Sequence, residues 1–328
     1  MQYTKLGRSG LSVSRITLGC MSFGDPTRGW HSWILNEEES RPIIRQALEA
    51  GINAFDTANA YGGGTSEEVV GRALRDFSKR EEVVIATKVF MRMRDDPNGH
   101  GLSRKAIVNE LDGSLKRLGT DYVDLYQIHR WDETTPIEET LEALHDMVKA
   151  GKVRYIGAST MYAWQFAKAL YTSDRNCWSR FISMQPHYNL MYREEEREMF
   201  GLCESEGVGV LPWSPLARGR LARAWGDKDT TGRAKADAVA NSLYGDTESV
   251  DRVVVDRLAE VSAEKGLSMA HVALAWVLGN PVVSSIIIGA TKHRHLEDAV
   301  ASLSVTLTAE ETIRLQEVYQ PHAWQTVV

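Results

Sequence analysis

The sequence predicts a single domain with the (β/α)8, or TIM-barrel, fold over residues 1–328. Short β-rich runs alternate with longer amphipathic stretches, and turn-forming residues such as Gly, Asn, Asp or Ser follow the runs. There are about eight such runs, which is the number of strands in a closed barrel of this kind. A length of 328 residues fits one barrel, and no linker separates two units.

The strand candidates are the short runs rich in β-forming residues and bounded by turn residues. In chain order they are Ile16–Gly19, Asn53–Asp56, Val83–Lys88, Val123–His129, Tyr155–Ser159, Ile182–Gln185, Gly209–Trp213 and Ser285–Gly289. In a βα barrel, the carboxyl ends of the strands meet on one face, where active sites are built. That face is therefore the expected functional site.

Amphipathic stretches lie between the strands, and their ends are well marked. Ser103 precedes the helical run that ends at Gly119, as expected of a residue that caps the first turn. Glycines follow four other stretches, at Gly51, Gly151, Gly207 and Gly266, where helices are expected to end in a left-handed residue. The predicted helices are Glu37–Ala50, Ser66–Phe77, Ser103–Leu118, Pro136–Ala150, Trp164–Thr172, Glu194–Glu206, Val250–Lys265 and His293–Leu303.

Two β-rich segments precede the first barrel strand. Tyr3–Leu6 and Leu11–Ser14 flank the turn Gly7–Gly10, which predicts a hairpin that could close the bottom of the barrel. Two connections are too long for simple turns: Met21–Asn36 after the first barrel strand and Ser214–Ser249 after the seventh. Long loops in compact domains are usually functional or disordered, and both begin at the face where the strands end.

The composition, with 43% hydrophobic and 25% charged residues, excludes disordered, collagen-like and disulfide-scaffold proteins. A net charge of −6 gives no general attraction for nucleic acid or anionic lipid, so neither partner is expected. No secretory h-region opens the chain, and no apolar run approaches the roughly 18 residues of a membrane span. Cys20, Cys177 and Cys203 lack zinc-site spacing. We expect a cytoplasmic protein without a bound metal.

Polar side chains stand at the ends of five predicted strands. They are Asp56, Lys88, His129, Ser159 and Gln185, with Tyr61 just past the first of them. Singly, each has a structural explanation: Asp56 as a helix cap, Lys88 as a rim charge, His129 as a core histidine. Their convergence on one opening favours a shared catalytic function. In such a poorly hydrated place, Asp56 and Lys88 are expected to pair.

Longer motifs around these residues resemble the aldo-keto reductase family. They are Phe55-Asp56-Thr57-Ala58-Asn59-Ala60-Tyr61-Gly62, Ala86-Thr87-Lys88, Gln127-Ile128-His129, Ile156-Gly157-Ala158-Ser159, Gln185-Pro186-His187-Tyr188-Asn189 and Pro212-Trp213-Ser214-Pro215-Leu216-Ala217-Arg218-Gly219, so the resemblance covers nearly the whole chain. Three further segments are similar to a bacterial NADPH-dependent subgroup linked to deoxypentulose phosphate formation: Gly19-Cys20-Met21, Ile128-His129-Arg130-Trp131 and Tyr319-Gln320-Pro321-His322.

The resemblance implies that the protein reduces aldehydes or ketones with hydride from NADPH, and that Asp56, Tyr61, Lys88 and His129 form the catalytic tetrad. The residue types agree with this chemistry. Carbonyl reduction needs a proton at oxygen, and a tyrosine hydroxyl is a reluctant acid unless a cation stabilises its phenolate. Lys88 can supply that cation and Asp56 can hold Lys88 in place, while His129 can hydrogen-bond the carbonyl. Tyr61 would then be the proton donor.

By the same resemblance, Ser159 and Gln185 hydrogen-bond the nicotinamide carboxamide, and Trp213 stacks on the ring. Packing at the barrel rim is the alternative for Trp213. The family usually has Asn after that serine, whereas Thr160 stands there in this sequence.

The cofactor phosphates need a different kind of site. No strand-linked G-x-G-x-x-G opens the chain, which counts against a Rossmann domain. Barrels commonly bind phosphates with the loops after strands seven and eight and a helix N-terminus, so the phosphates are expected there. The basic cluster Lys292–His295 opens the last barrel helix and favours the 2′-phosphate of NADPH over NADH. A solvated charged turn is the alternative. The remaining predicted cofactor contacts are Gly19, Cys20, Met21, Ser214, Pro215, Leu216, Ala217, Arg218, Gly219, Arg220, Gly289, Thr291, Lys292, Arg294, His295 and Asp298.

The substrate is expected to be a small carbonyl compound, and the oligomeric state stays open. Predicted pocket residues are Trp30, His31, Trp33, Phe90, Arg130 and Trp131, with His322 and Trp324 from the end of the chain. Arg130 with His31 would tolerate a carboxylate or phosphate, whereas the aromatic residues would fit aryl aldehydes. Two other functions remain open: a Schiff-base aldolase that uses Lys88 as nucleophile, and a nicotinamide-binding sensor or regulatory subunit.

Overall fold

A computed structural model describes residues 1–29, 31–227 and 237–324 and contains two sheets in that part of the chain. The strands are β1 Tyr3–Lys5, β2 Ser12–Ser14, β3 Ile16–Gly19, β4 Ala54–Asp56, β5 Val84–Val89, β6 Val123–Ile128, β7 Val153–Ser159, β8 Phe181–Gln185, β9 Gly209–Val210 and β10 Ile286–Gly289. Strands β3 to β10 form one parallel sheet in the order β10-β3-β4-β5-β6-β7-β8-β9. Parallel bridges Val210–Val283 and Trp213–Ile287 connect its two ends. The predicted (β/α)8 barrel is confirmed.

The helices run between the strands, as the amphipathic pattern predicts. Ser103 accepts a hydrogen bond from the N–H of Ala106 at 3.2 Å, and Gly119 ends the same helix with a left-handed φ of 65°. No helix within the described ranges is both long and apolar enough to cross a membrane. The described helices are Glu37–Glu49, Thr65–Phe77, Arg104–Leu118, Ile137–Lys149, Ala163–Arg175, Met199–Glu206, Ala238–Tyr244, Glu248–Lys265, Met269–Leu278, His293–Ser302 and Ala309–Gln316.

Three helices lie where the sequence pattern predicts none: Ala238–Tyr244, Met269–Leu278 and Ala309–Gln316. Met269–Leu278 escapes detection because it is apolar on nearly every side, with Val272, Leu274 and Trp276 all buried, so no polar face marks its period. The first of the three lies inside the long connection after β9.

Two predicted elements are clearly too long, and the other predicted boundaries lie within three residues of the observed ones. The helix predicted over Glu194–Glu206 divides into a 3₁₀ turn, Glu194–Glu196, and a helix that begins at Met199. The Glu194 carboxylate in that turn accepts a hydrogen bond from the Tyr319 hydroxyl at 2.6 Å. The strand predicted over Gly209–Trp213 ends at Val210, since Pro212 has no N–H to continue the ladder.

The hairpin β1–β2 closes the bottom of the barrel. Its residues Leu6 and Val13 pack in one buried cluster with Ala54, Val84 and Leu125 from the barrel strands. Gly7 lies so near the chain at residue 207 that a Cβ on it would come within 2.5 Å of the Gly207 oxygen, and its φ is +58°. This end of the barrel is therefore filled, and the carboxyl ends of the strands form the open end.

Candidate active site

Neighbouring strands bring the predicted tetrad together. Asp56 ends β4, Lys88 lies near the end of β5, and His129 follows β6 directly. Tyr61 opens a 3₁₀ turn, Tyr61–Gly64, in which all three glycines adopt positive φ, between 57° and 96°. Such a turn is accessible mainly to glycine, and it returns the chain sharply so that the tyrosine ring faces the strand ends.

Lys88 is the centre of the tetrad. Its side chain is fully buried, and its ammonium Nζ forms an ion pair with Asp56 Oδ1. Nζ also donates to the Thr57 carbonyl oxygen at 2.8 Å and to the Tyr61 hydroxyl oxygen at 3.3 Å. Burial alone lowers the pKa of Lys88, but attraction to Asp56 and Tyr61 outweighs it and raises that pKa above the usual value. The structure thus holds a permanent cation against a phenol oxygen.

The other oxygen of Asp56 accepts from two glutamine side chains. Gln127 Nε2 donates to Oδ2 at 3.0 Å, and Gln185 Nε2 donates at 2.9 Å. Gln185 Nε2 also donates to Gln127 Oε1 at 3.2 Å. A carboxylate only accepts, so both amides must turn their NH2 groups toward it. Gln185 can therefore offer a ligand only its Oε1 oxygen.

His129 is buried beside Tyr61, with ring centroids 5.7 Å apart in an edge-to-face arrangement. Burial, together with the charges of Lys88 and Arg130, lowers the pKa of His129 well below its usual value. The imidazole is therefore neutral at physiological pH. It can orient a carbonyl oxygen by hydrogen bonding, but it is not a cationic acid.

A single cavity of about 1060 Å³ extends from Tyr61 and His129 to the basic residues Lys292 and Arg294. Twenty-two of the predicted site residues line it. They are Gly19, Met21, His31, Trp33, Asp56, Tyr61, His129, Arg130, Ser159, Gln185, Trp213, Ser214, Pro215, Leu216, Arg218, Gly219, Gly289, Thr291, Lys292, Arg294, His295 and Asp298.

Eight predicted site residues that the structure describes are absent from this lining. Lys88, Cys20 and Ala217 are fully buried, and Arg220 is directed away, toward Glu248. Trp131 packs edge-on against Trp164 outside the cavity. The other three are Phe90, His322 and Trp324. Trp30 lies outside the described residues.

In the loop after β9, the Arg218 side chain already has a partner. Its Nε and Nη2 donate to the two carboxylate oxygens of Asp237 at 2.7 and 2.8 Å, and both side chains are buried. Its backbone is left-handed, with a φ of 56°, as are Ser214 and Ala217. The arginine thus fastens this loop to Asp237.

Sequence reasoning missed two groups of residues at this site. Gln127 belongs to one of the sequence motifs but is not among the predicted site residues. Its amide is one of two that donate a hydrogen bond to Asp56. Ser268, Ala270 and Leu274 line the cavity from the undetected helix and its cap. Gln127 follows the alternation of β6 into the barrel interior, which could have identified it; the apolar helix offered no comparable signal.

Comparison with known proteins agrees with this geometry. Residues 15–320 match the model of the Aldo/keto reductase family. The chain is 46% identical to versiconal hemiacetal acetate reductase of Aspergillus parasiticus, with 98% of each chain covered. It is 41% identical to aldo-keto reductase dtxS3 of Metarhizium robertsii, covering 99% of this chain and 93% of that protein. Identity to aldo-keto reductase AMT2 of Alternaria alternata is also 41%, over 97% and 91% of the two chains.

Proposed function

The chain belongs to the aldo/keto reductase family, and from that premise we propose that it reduces aldehydes or ketones to alcohols with NADPH, using Tyr61 as proton donor. One observation carries the proposal: the buried Lys88 ammonium lies 3.3 Å from the Tyr61 hydroxyl while Asp56 anchors it. A cation in that place stabilises the phenolate that forms when the tyrosine gives its proton to a carbonyl oxygen.

The residues of the chain account for the proton half of the reaction. NADPH, when bound, supplies the hydride that reduces the carbonyl carbon. Tyr61 gives its phenolic proton to the carbonyl oxygen, and Lys88 stabilises the phenolate that remains. Neutral His129 hydrogen-bonds the same oxygen and orients it. Asp56, held by its two glutamine partners, keeps Lys88 in place.

The hydrogen-bond acceptors of the cavity fit a nicotinamide carboxamide at one end. Ser159 donates its hydroxyl hydrogen to the Gln185 carbonyl oxygen at 2.8 Å, so Ser159 Oγ, like Gln185 Oε1, is left to accept. Two acceptors suit the NH2 group of a carboxamide. The indole of Trp213 lines the cavity beside them and provides a surface on which a flat ring can stack.

The other end of the cavity fits phosphates. Lys292 and Arg294 open the helix His293–Ser302, whose first N–H groups and positive dipole end favour an anion. We assign them to the 2′-phosphate that distinguishes NADPH from NADH. The Arg294 side chain is 77% exposed, and its Nε lies 3.9 Å from Asp298 Oδ2.

The deciding experiment is steady-state oxidation of NADPH against a panel of carbonyl compounds. Aliphatic and aromatic aldehydes, keto acids, phosphorylated sugars and a hemiacetal belong in it, the last because one relative is named for a hemiacetal acetate. Turnover with at least one class and no metal added supports the proposal. Tight NADPH binding with substoichiometric oxidation throughout would favour the sensor function instead.

Changing Lys292 and Arg294 together to Ala should weaken NADPH binding roughly 10- to 100-fold and leave NADH binding nearly unchanged, because charged hydrogen bonds to a phosphate are lost. Titration of both cofactors by fluorescence measures this. A double change of Lys79 and Arg252 to Ala removes the same charge from exposed sites outside the cavity lining and serves as control. Equal losses for NADPH and NADH would mean that the cluster is only a charged turn.

Arg130 suggests the class of substrate. It lines the cavity next to His129, and its Nη1 donates to the His129 carbonyl oxygen at 2.7 Å. Burial lowers the pKa of Arg130 to about 10, yet it stays cationic at neutral pH. A desolvated guanidinium gains most from an anionic ligand. We therefore propose carbonyl compounds that carry a carboxylate or phosphate, a class that includes deoxypentulose phosphates.

Replacing Arg130 with Met should lower kcat/KM for a keto acid or a phosphorylated aldehyde roughly 10- to 100-fold, the value of a charged hydrogen bond. Reduction of a neutral aryl aldehyde should change little. Arg130→Lys keeps the charge and should recover part of the loss. If the neutral and anionic substrates lose activity equally in Arg130→Met, the side chain supports His129 rather than the substrate.

We also propose a cytoplasmic location. All three cysteines are free thiols, and Cys177 is exposed. Unpaired, accessible thiols are typical of compartments that keep cysteines reduced.

A further inference from the structure

The indole of Trp213 is held from two directions at the edge of the cavity. Its Nε1–H donates to Thr160 Oγ1 at 3.1 Å. One face lies on the His187 imidazole, with ring centroids 4.2 Å apart and planes inclined by only 8°. A stack by itself lets a ring slide in its plane, and a hydrogen bond by itself lets it tilt. The two together fix the position of the indole.

Thr160 has an unusual backbone for its residue type. Its φ is +37°, in the left-handed region that β-branched residues rarely adopt. Its N–H donates to the Gln185 carbonyl oxygen at 3.2 Å, the same oxygen that accepts from Ser159 Oγ. Strained backbone of this kind persists where surrounding contacts impose it, and it is concentrated at functional sites. Here the strain places a hydroxyl oxygen at the indole N–H.

His187 is itself fixed from behind. Its second face stacks on Tyr192, with centroids 4.4 Å apart and a 13° inclination, and its Nε2 lies 2.7 Å from the Tyr244 hydroxyl. All three side chains are buried. The support under Trp213 is therefore a rigid column of rings rather than a mobile side chain.

We propose that Thr160 and His187 are positioning residues that fix the plane of the Trp213 indole, Thr160 by accepting its N–H and His187 by stacking beneath it, and that this plane sets the orientation of the nicotinamide ring for hydride transfer. The inference rests on the proposed function, in which that ring stacks on Trp213. It assigns a role to Thr160 at the position where the sequence departs from the family pattern.

The test compares two ligands across three variants. Thr160→Val keeps the branched shape and removes the acceptor, Thr160→Ser keeps the acceptor, and Thr160→Gly removes the acceptor while it relieves the strained backbone. The ligands are NADPH and 2′-phospho-ADP-ribose, which lacks the nicotinamide. Thr160→Val and Thr160→Gly should weaken NADPH binding roughly three- to tenfold, the value of one neutral hydrogen bond. Both should also slow single-turnover hydride transfer, whereas Thr160→Ser should keep both quantities near those of the wild-type protein.

Binding of 2′-phospho-ADP-ribose should be the same in all variants, because its contacts lie at the other end of the cavity. Equal weakening of both ligands would show that Thr160 is merely structural, and no change in either would show that the indole needs no anchor; both results overturn the inference. Each leaves the proposed function intact as long as the wild-type protein reduces carbonyls. Failure of the wild-type protein to bind NADPH would reject the proposed function itself. Hydrogen exchange of the Trp213 indole N–H then still tests the Thr160 contact. We expect faster exchange in the Thr160→Val variant than in Thr160→Ser.

Discussion

Replacing Tyr61 with Phe is expected to lower the rate of carbonyl reduction by roughly 10²–10⁴, the usual contribution of a positioned general acid. The change removes only the hydroxyl that lies 3.3 Å from Lys88 Nζ, and it keeps the ring that packs against His129. NADPH affinity and thermal stability should therefore hardly change. Single-turnover reduction separates the chemical step from cofactor binding and product release.

Tyr171→Phe is the matched control for this result. Tyr171 is about half exposed, and its hydroxyl bonds Glu206 far along the chain from the tetrad, so its loss should leave reduction unchanged. Near-normal turnover in Tyr61→Phe would reject Tyr61 as the proton donor. The next candidate for the proton donor would then be His129, the other residue proposed to hydrogen-bond the carbonyl oxygen.

Replacing Lys88 with Met should have two large effects. Reduction should fall about as far as in Tyr61→Phe, because the phenolate loses its stabilising cation. The protein should also lose about 3–5 kcal/mol of unfolding free energy, the usual cost of leaving one partner of a buried ion pair alone, since Asp56 is only 3% exposed. Urea unfolding measures the second effect. Adding Asp56→Asn to Lys88→Met should recover part of the stability but none of the activity.

The same variant separates the reductase from the Schiff-base alternative. If Tyr61 and Lys88 act as one unit, Tyr61→Phe combined with Lys88→Met should be little slower than either single variant. A Schiff-base aldolase predicts instead that borohydride traps substrate on Lys88 and that Tyr61→Phe keeps most of the activity. The ion pair with Asp56 disfavours the neutral amine that such a nucleophile needs.

Much of the fold follows from local pattern alone. The barrel could be predicted because each feature of a βα unit is recognisable from residues that are close together in the sequence. These features are a β-rich run, a turn residue, an amphipathic stretch and a glycine. The face that carries the candidate site could be predicted for a related reason. Once the strands are counted, residues at their carboxyl ends must meet on one face, whatever the details of packing.

Partner choice inside the site was decided only by the tertiary structure. The sequence suggests Arg218 as a phosphate ligand, whereas the fold gives its side chain to Asp237, 19 residues further along. The sequence predicts that Gln185 contacts a ligand but does not say through which atom. In the structure its Nε2 donates to the buried Asp56 carboxylate, so only Gln185 Oε1 is left to contact a ligand. Such hydrogen bonds depend on which buried charged group lies nearest in space. The local sequence does not predict the distance between residues that are far apart in the chain.

The sequence by itself determined the barrel and the face that carries the candidate site, because strand order and side-chain alternation fix both through local geometry. The resemblance of its motifs to the family is what pointed to Asp56, Tyr61, Lys88 and His129. The tertiary structure decided how firmly the site is held. The unusual backbone of Thr160 and the ring column behind Trp213 arise from contacts between separate strands and loops. Their physical cause is close packing: the contacts of a buried polar atom or ring are made with the neighbours that the whole fold places beside it.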